Sequence, residues 1–117
     1  VTRHAIWSTD GPRIGVVCFT FEHLAPSYVA AALSAEHAIG VRDGRFCAHP
    51  LVGALGLGAS GAIRASIGAG TRREDIDRLL SAINCIASHG PHADYVEQGG
   101  VVRIAELQSQ GYLYLRP

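Results

Sequence analysis

Methionine and lysine are both missing from this 117-residue chain, and each absence excludes something. Without lysine, all ten basic residues are arginine, and no internal Schiff base to a carbonyl compound can form. Without methionine, even at position 1, the chain is expected to be a piece of something longer. Only three cysteines occur, Cys18, Cys47 and Cys85, with no Cys-x-x-Cys pair, which argues against a disulfide scaffold and against a zinc ribbon. That pattern fits a reducing cytoplasm. No apolar stretch reaches the roughly 20 residues that a membrane span needs, and no basic lead with an apolar run opens the chain. An excess of either charge is missing too: ten acidic residues balance the ten arginines, so no summed field draws a nucleic acid or an anionic membrane. No metal site is expected either, because His49 beside Cys47, or His89 with His92, does not supply a tetrahedral set.

What is present is enough apolar material, 48% of the chain, for one core in one domain. Ala5-Ile6-Trp7, the turn signature Asp10-Gly11-Pro12 and the β-rich run from Ile14 to Phe21 predict a strand pair, with the second strand central in its sheet. Pro26 suits a helix's first turn, and the spacing of Val29, Ala32 and Leu33 predicts a helix over 26–36. A short strand is expected over 39–42, a turn at Asp43-Gly44, a glycine-rich loop from Pro50 to Gly61, and a strand over 62–67. Gly53, Gly56, Gly58 and Gly61 read as loop flexibility, since the lysine and hydroxyl residue of a phosphate-binding loop are absent. Thr71 with Glu74 forms a capping-box pattern for a second helix, whose stripe is Ile76, Leu79, Leu80, Ile83 and Ala87, and Gly90-Pro91 ends it. A terminal hairpin or tail over 91–117 pairs 94–96 with 101–104, while Tyr112-Leu113-Tyr114-Leu115 alternates without a clear partner. The fold class is therefore α+β: a small, mainly antiparallel sheet with two helices packed on one face.

The chemistry concentrates in Gly40-Val41-Arg42-Asp43-Gly44-Arg45-Phe46-Cys47-Ala48-His49-Pro50, followed 17 residues after the cysteine by Arg64-Ala65-Ser66. A thiol on a glycine-flanked loop can reach a reacting atom, and a guanidinium is the planar, two-pronged match for a carboxylate. Cys47 and Arg64 thus suggest chemistry on an amino acid. Arg45 is read as the cation beside the thiol and Asp43 as the opposing charge. Arg42 is read either as a tie between strand and loop or as a substrate contact, and His49 as shaping the loop before Pro50. Packing accounts for Cys18 in its strand and Cys85 beside the stripe of its helix.

Residues 13–87 resemble the small C-terminal domain of the class V aminotransferase superfamily, on the cysteine desulfurase and selenocysteine lyase branch. The resemblance is carried by Arg13-Ile14-Gly15-Val16-Val17-Cys18-Phe19-Thr20-Phe21, by Pro26 through Leu33, by the loop from Ile39 to Leu51, and by Ile63-Arg64-Ala65-Ser66-Ile67 with Arg73-Glu74-Asp75-Ile76-Asp77-Arg78-Leu79. It implies that residues 1–117 are the small domain of a fold-type I enzyme. The large domain, absent here, would carry pyridoxal 5'-phosphate on a lysine, and this piece alone would hold no cofactor and be inactive. Cys47 matches the cysteine that takes sulfur or selenium from the substrate as a persulfide, and Arg64 the arginine that grips its carboxylate. A small amino-acid substrate, a sulfur-acceptor protein and a homodimer are the implied partners.

The chain departs from the desulfurase pattern at two places: Arg45-Phe46 stand where histidines commonly precede the cysteine, and Thr71-Arg72 where Asn-Thr often follows the Arg-Ala-Ser strand. Two other readings therefore stand beside the desulfurase. One keeps fold and cofactor but makes the reaction transamination, epimerisation or another lyase step, with Cys47 incidental; the other is a non-enzymatic α+β interaction module.

Overall fold

A computed structural model describes residues 1–5 and 10–105. Four strands, β1 (Thr2–His4), β2 (Val16–Thr20), β3 (Arg42–Gly44) and β4 (Ala62–Ser66), form one antiparallel sheet in the order β1-β2-β4-β3. Between and after them come α1 (Pro26–His37), α2 (His49–Ala54) and α3 (Arg73–His89), and the hairpin strands β5 (Tyr95–Gln98) and β6 (Val101–Ile104) make a separate two-stranded sheet. This is the expected α+β class. β2 lies inside its sheet, as its apolar run predicts, although Val16 and Val17 each remain 42% exposed.

Both long helices cover one face of the large sheet. Phe19 of β2 and Ile63 of β4 are register partners, and they share a buried cluster with Val29, Ala32 and Leu33 of α1 and with Ala82 and Ile86 of α3. Leu33, Ile63, Ile86 and Val29 are completely enclosed; burying each such side chain favours folding by about 1.5–3 kcal/mol. The stripe of α3 runs through Leu79, Ala82, Ile83 and Ile86, so Leu80, at 53% exposure, and exposed Ala87 fall outside it.

Three boundaries differ from the sequence expectations. The strand predicted over 39–42 is displaced to Arg42–Gly44 because Ile39 still belongs to the end of α1: Ala38 turns left-handed (φ +54) and the Ile39 amide closes on the Leu33 carbonyl at 2.9 Å. Asp43-Gly44 is therefore strand, not turn. The predicted loop after Pro50 opens with α2, a six-residue helix with proline in its first turn, too short to show periodicity, whose Val52 is 3% exposed. In α3 the cap shifts by one residue. Thr71 Oγ1 accepts from the Gly68 amide instead of capping the helix, and Asp75, not Glu74, reaches back to the Arg72 amide at 3.0 Å.

The hairpin predicted over 94–104 is present, turned by Gly99 and Gly100, both at positive φ as a two-residue primed turn requires. Tyr112 to Leu115 and Ile6-Trp7 lie outside the described residues.

Candidate functional site

Register partners on neighbouring strands point to the same side of a sheet. His4 pairs with Cys18, Cys18 with Arg64, and Arg64 with Arg42, so these four form one row across all four strands. The row lies on the face opposite α1 and α3, because the neighbouring pair Phe19–Ile63 is the one in the helix-covered core. Asp43 alternates to the other side: it pairs with Ile63 and lines a separate cavity with Ser27 and Val101. The charge expected to oppose the thiol is thus directed away from it.

The segment after β3 is shaped by two loops held together. Gly61, at φ +72, passes so close to the Gly44 carbonyl that a β-carbon would collide with it, and Arg45 Nε donates to the Ala59 carbonyl at 3.1 Å. Gly61 is therefore required by close approach, not by the flexibility that its glycine-rich setting suggests. Arg45, read from the sequence as the cation beside the sulfur, directs its Nε–H to Ala59 instead. The Ala48 amide closes on the Arg45 carbonyl at 2.8 Å, and inside this turn Phe46 (φ +56) and Cys47 (φ +58) are both left-handed. Each such non-glycine residue costs about 1–3 kcal/mol of backbone strain. The result is a divergence: the half-buried Phe46 ring sits 5.4 Å from the Arg64 guanidinium carbon, while Cys47 is exposed. Arg42 Nη2 approaches the Cys47 Sγ at 4.0 Å.

The structure therefore places Cys47 on the loop and Arg64 on the sheet, linked by Arg42 on one side and Phe46 on the other. Arg42 reaches from its strand toward the loop through this 4.0 Å approach. Phe46 was missed by sequence reasoning; the available signal was an aromatic residue inside a glycine-flanked loop next to the nominated thiol. Arg64 and Phe46 line a cavity of about 340 Å³ together with His4, Cys18, Val52 and Leu55. Cys18 is thus a wall of this cavity as well as a packing residue; burial pushes its thiol up and the nearby Arg64 charge pulls it down, with a net rise. His49 is exposed at the first position of α2.

Two features would favour an anion at this site. Arg64 Nε is buried with no hydrogen-bond partner, and neither Arg42 nor Arg64 has a carboxylate partner among the described residues. A buried donor left open favours a ligand that completes it. Adjacent guanidiniums on neighbouring strands also add their fields where such a ligand would sit. No group of three or more His, Cys, Asp or Glu side chains suited to a metal ion occurs among the described residues. No helix among them is long and apolar enough to cross a membrane.

Fold and site together belong to a recognisable class. The aminotransferase class-V family model matches residues 3–79, more than half the chain, and the chain belongs to that family. Among curated proteins it is similar to a probable cysteine desulfurase of Staphylococcus epidermidis, 38% identical over 71 residues, covering 61% of this chain and 16% of the relative. A probable cysteine desulfurase of Pseudomonas putida is 33% identical over 82 residues, 70% of this chain and 20% of the relative. A third, from Staphylococcus aureus, is 38% identical over 71 residues. The chain spans only 16% to 20% of the length of these relatives.

Proposed function

We propose that this chain is the small domain of a longer cysteine desulfurase-like enzyme, in which Arg64 grips the carboxylate of an amino-acid substrate and Cys47 accepts its sulfur. The observation that carries the reading is the buried, unpartnered Nε of Arg64 on the sheet beside a loop that exposes Cys47. Relatives named probable cysteine desulfurase support it.

The family is generally dependent on pyridoxal phosphate, which supplies an electron sink for bonds to the amino-acid carbons. This chain has no lysine, so its residues supply no Schiff-base link to that group. They fit the substrate side. The carboxylate would complete the open Arg64 donors, and the two-pronged geometry would fix the substrate's orientation. The Cys47 sulfur would form an S–S bond to the substrate sulfur as the substrate C–S bond breaks. The electron pair of that bond remains with carbon, whose protonation gives alanine, and a persulfide stays on Cys47. An exposed persulfide is open to the thiolate of an acceptor protein, which would take the outer sulfur. Homodimerisation of the longer protein belongs to the same proposal, and light scattering measures it.

The test uses the longer protein with free cysteine as substrate. Cys47→Ala is expected to lower alanine release at least a hundredfold, and Arg64→Gln to raise KM at least tenfold. Undiminished alanine release by the Cys47 variant would overturn the sulfur-transfer step.

A further inference from the structure

Phe46 has no role in the function proposed above, yet it adjoins both of that function's residues: its ring lies within cation–π reach of Arg64, and it precedes Cys47 in sequence. We propose that Phe46 is a positioning residue whose ring backs the Arg64 guanidinium and fixes its plane, so that the N–H edge meets a substrate carboxylate. This rests on the reading of Arg64 as the carboxylate clamp.

Three observations carry it. The guanidinium carbon is 5.4 Å from the ring centroid, inside the ~6 Å reach of a cation–π contact. Among the described residues Arg64 has no other polar anchor, since its buried Nε is unpartnered and no carboxylate pairs with it. A guanidinium is commonly held in plane by a carboxylate, which occupies its donor edge. An aromatic face holds the plane and leaves that edge open. The third observation is the backbone. Phe46 reaches Arg64 from φ +56 and Cys47 follows at φ +58, a costly pair of conformations that persists only where the surroundings over-determine it. The ring on Arg64 is such a determinant. One side chain therefore serves the clamp and at the same time sets the direction in which the neighbouring sulfur leaves the loop.

The physical content is specific to an aromatic face. Leucine fills similar space but offers no negative face to the cation, whereas tyrosine keeps one. The experiment uses the longer protein as wild type, Phe46→Leu, Phe46→Tyr and Arg64→Gln. Phenylglyoxal labels arginines, and peptide mass spectrometry reads Arg64 and Arg42 separately. In Phe46→Leu, Arg64 labelling is expected to rise about three- to thirtyfold with Arg42 unchanged, and KM for cysteine to rise more than kcat falls. Phe46→Tyr is expected to stay near wild type in both readouts. Unchanged Arg64 labelling in Phe46→Leu overturns the proposal. Equal defects in the leucine and tyrosine variants, or a joint rise at both arginines, would show that the ring acts as packing only and also overturn it. If Arg64→Gln leaves KM unchanged, the clamp reading fails by itself, while the labelling still decides whether the ring holds Arg64.

Discussion

At the scale of single residues, the positions that matter most are those where one atom more would not fit or one partner is missing. Gly61 is the first kind: its left-handed backbone and its approach to the Gly44 carbonyl bring the β4 lead-in against the Cys47 loop. Gly61→Ala should lower stability by about 2–4 kcal/mol, combining backbone strain with displacement of the facing carbonyl, as read from the urea midpoint. Gly56, at φ +68 with open space where a β-carbon would stand, separates the two causes. Gly56→Ala should cost only about 1 kcal/mol from backbone strain. Equal losses at the two positions would mean that the contact with Gly44 contributes nothing. Arg64 Nε is the second kind, a buried donor without an acceptor. Its type and strand were legible from the sequence beside Cys47. Its cation–π contact with Phe46 was not, because it depends on two left-handed residues that no composition rule assigns to Phe-Cys.

At the scale of elements, α1 joins the parts. One side packs Val29, Ala32 and Leu33 into the core, and near its end Glu36 gathers the loop that leads into the hairpin. Its carboxylate accepts from the His92 and Ala93 amides at 3.0 and 3.1 Å and from the Tyr95 hydroxyl at 2.9 Å, with His92 Nδ1 at 3.2 Å. Burial pushes the Glu36 carboxyl up, but these hydrogen bonds outweigh it and hold the group below its ordinary value. The Tyr95 phenol is pushed well up by burial and by the adjacent carboxylate, so it remains a donor through neutral pH. A carboxyl depressed in the folded state adds stability that is complete above its ordinary value near 4.5 and is lost as pH falls through the folded value. Protection of the His92 and Ala93 amides, taken relative to their intrinsic exchange rates, should therefore fall below about pH 4.5, before protection in the sheet does. Glu36→Gln should cost about 1–2 kcal/mol and flatten that acid dependence. An unaltered dependence in the variant would locate the titration elsewhere. The helices and the hairpin were legible because their periods and turn residues are local. The end of α1, the start of β3 and the cap of α3 were not, because each depends on a hydrogen bond made only when the chain has folded.

At the scale of the whole molecule, the large sheet divides labour between its faces. Phe19 and Ile63 face the two long helices, and Cys18, Arg64 and Arg42 face the open side. Stability and chemistry are thereby separable. Leu33→Ala, at a completely enclosed position between sheet and helices, should cost about 2–5 kcal/mol, whereas Leu80→Ala, at a position 53% exposed, should stay within about 0.5 kcal/mol. Chemical denaturation of the two variants checks this; comparable losses would mean that the core is not where the buried cluster lies. By itself the sequence determined the α+β class, the two long helices, the family, and a thiol and an arginine as the residues to watch. These follow from periodicity, turn chemistry and residue type, all of which are written locally in the chain. Only the tertiary structure decided the row of His4, Cys18, Arg64 and Arg42, the turning away of Asp43, the hydrogen bond of Arg45 to Ala59, and the placement of Phe46 near Arg64. Strand register and loop closure set those relations, and both arise from hydrogen bonds and contacts between segments far apart in sequence, where no local pattern records them.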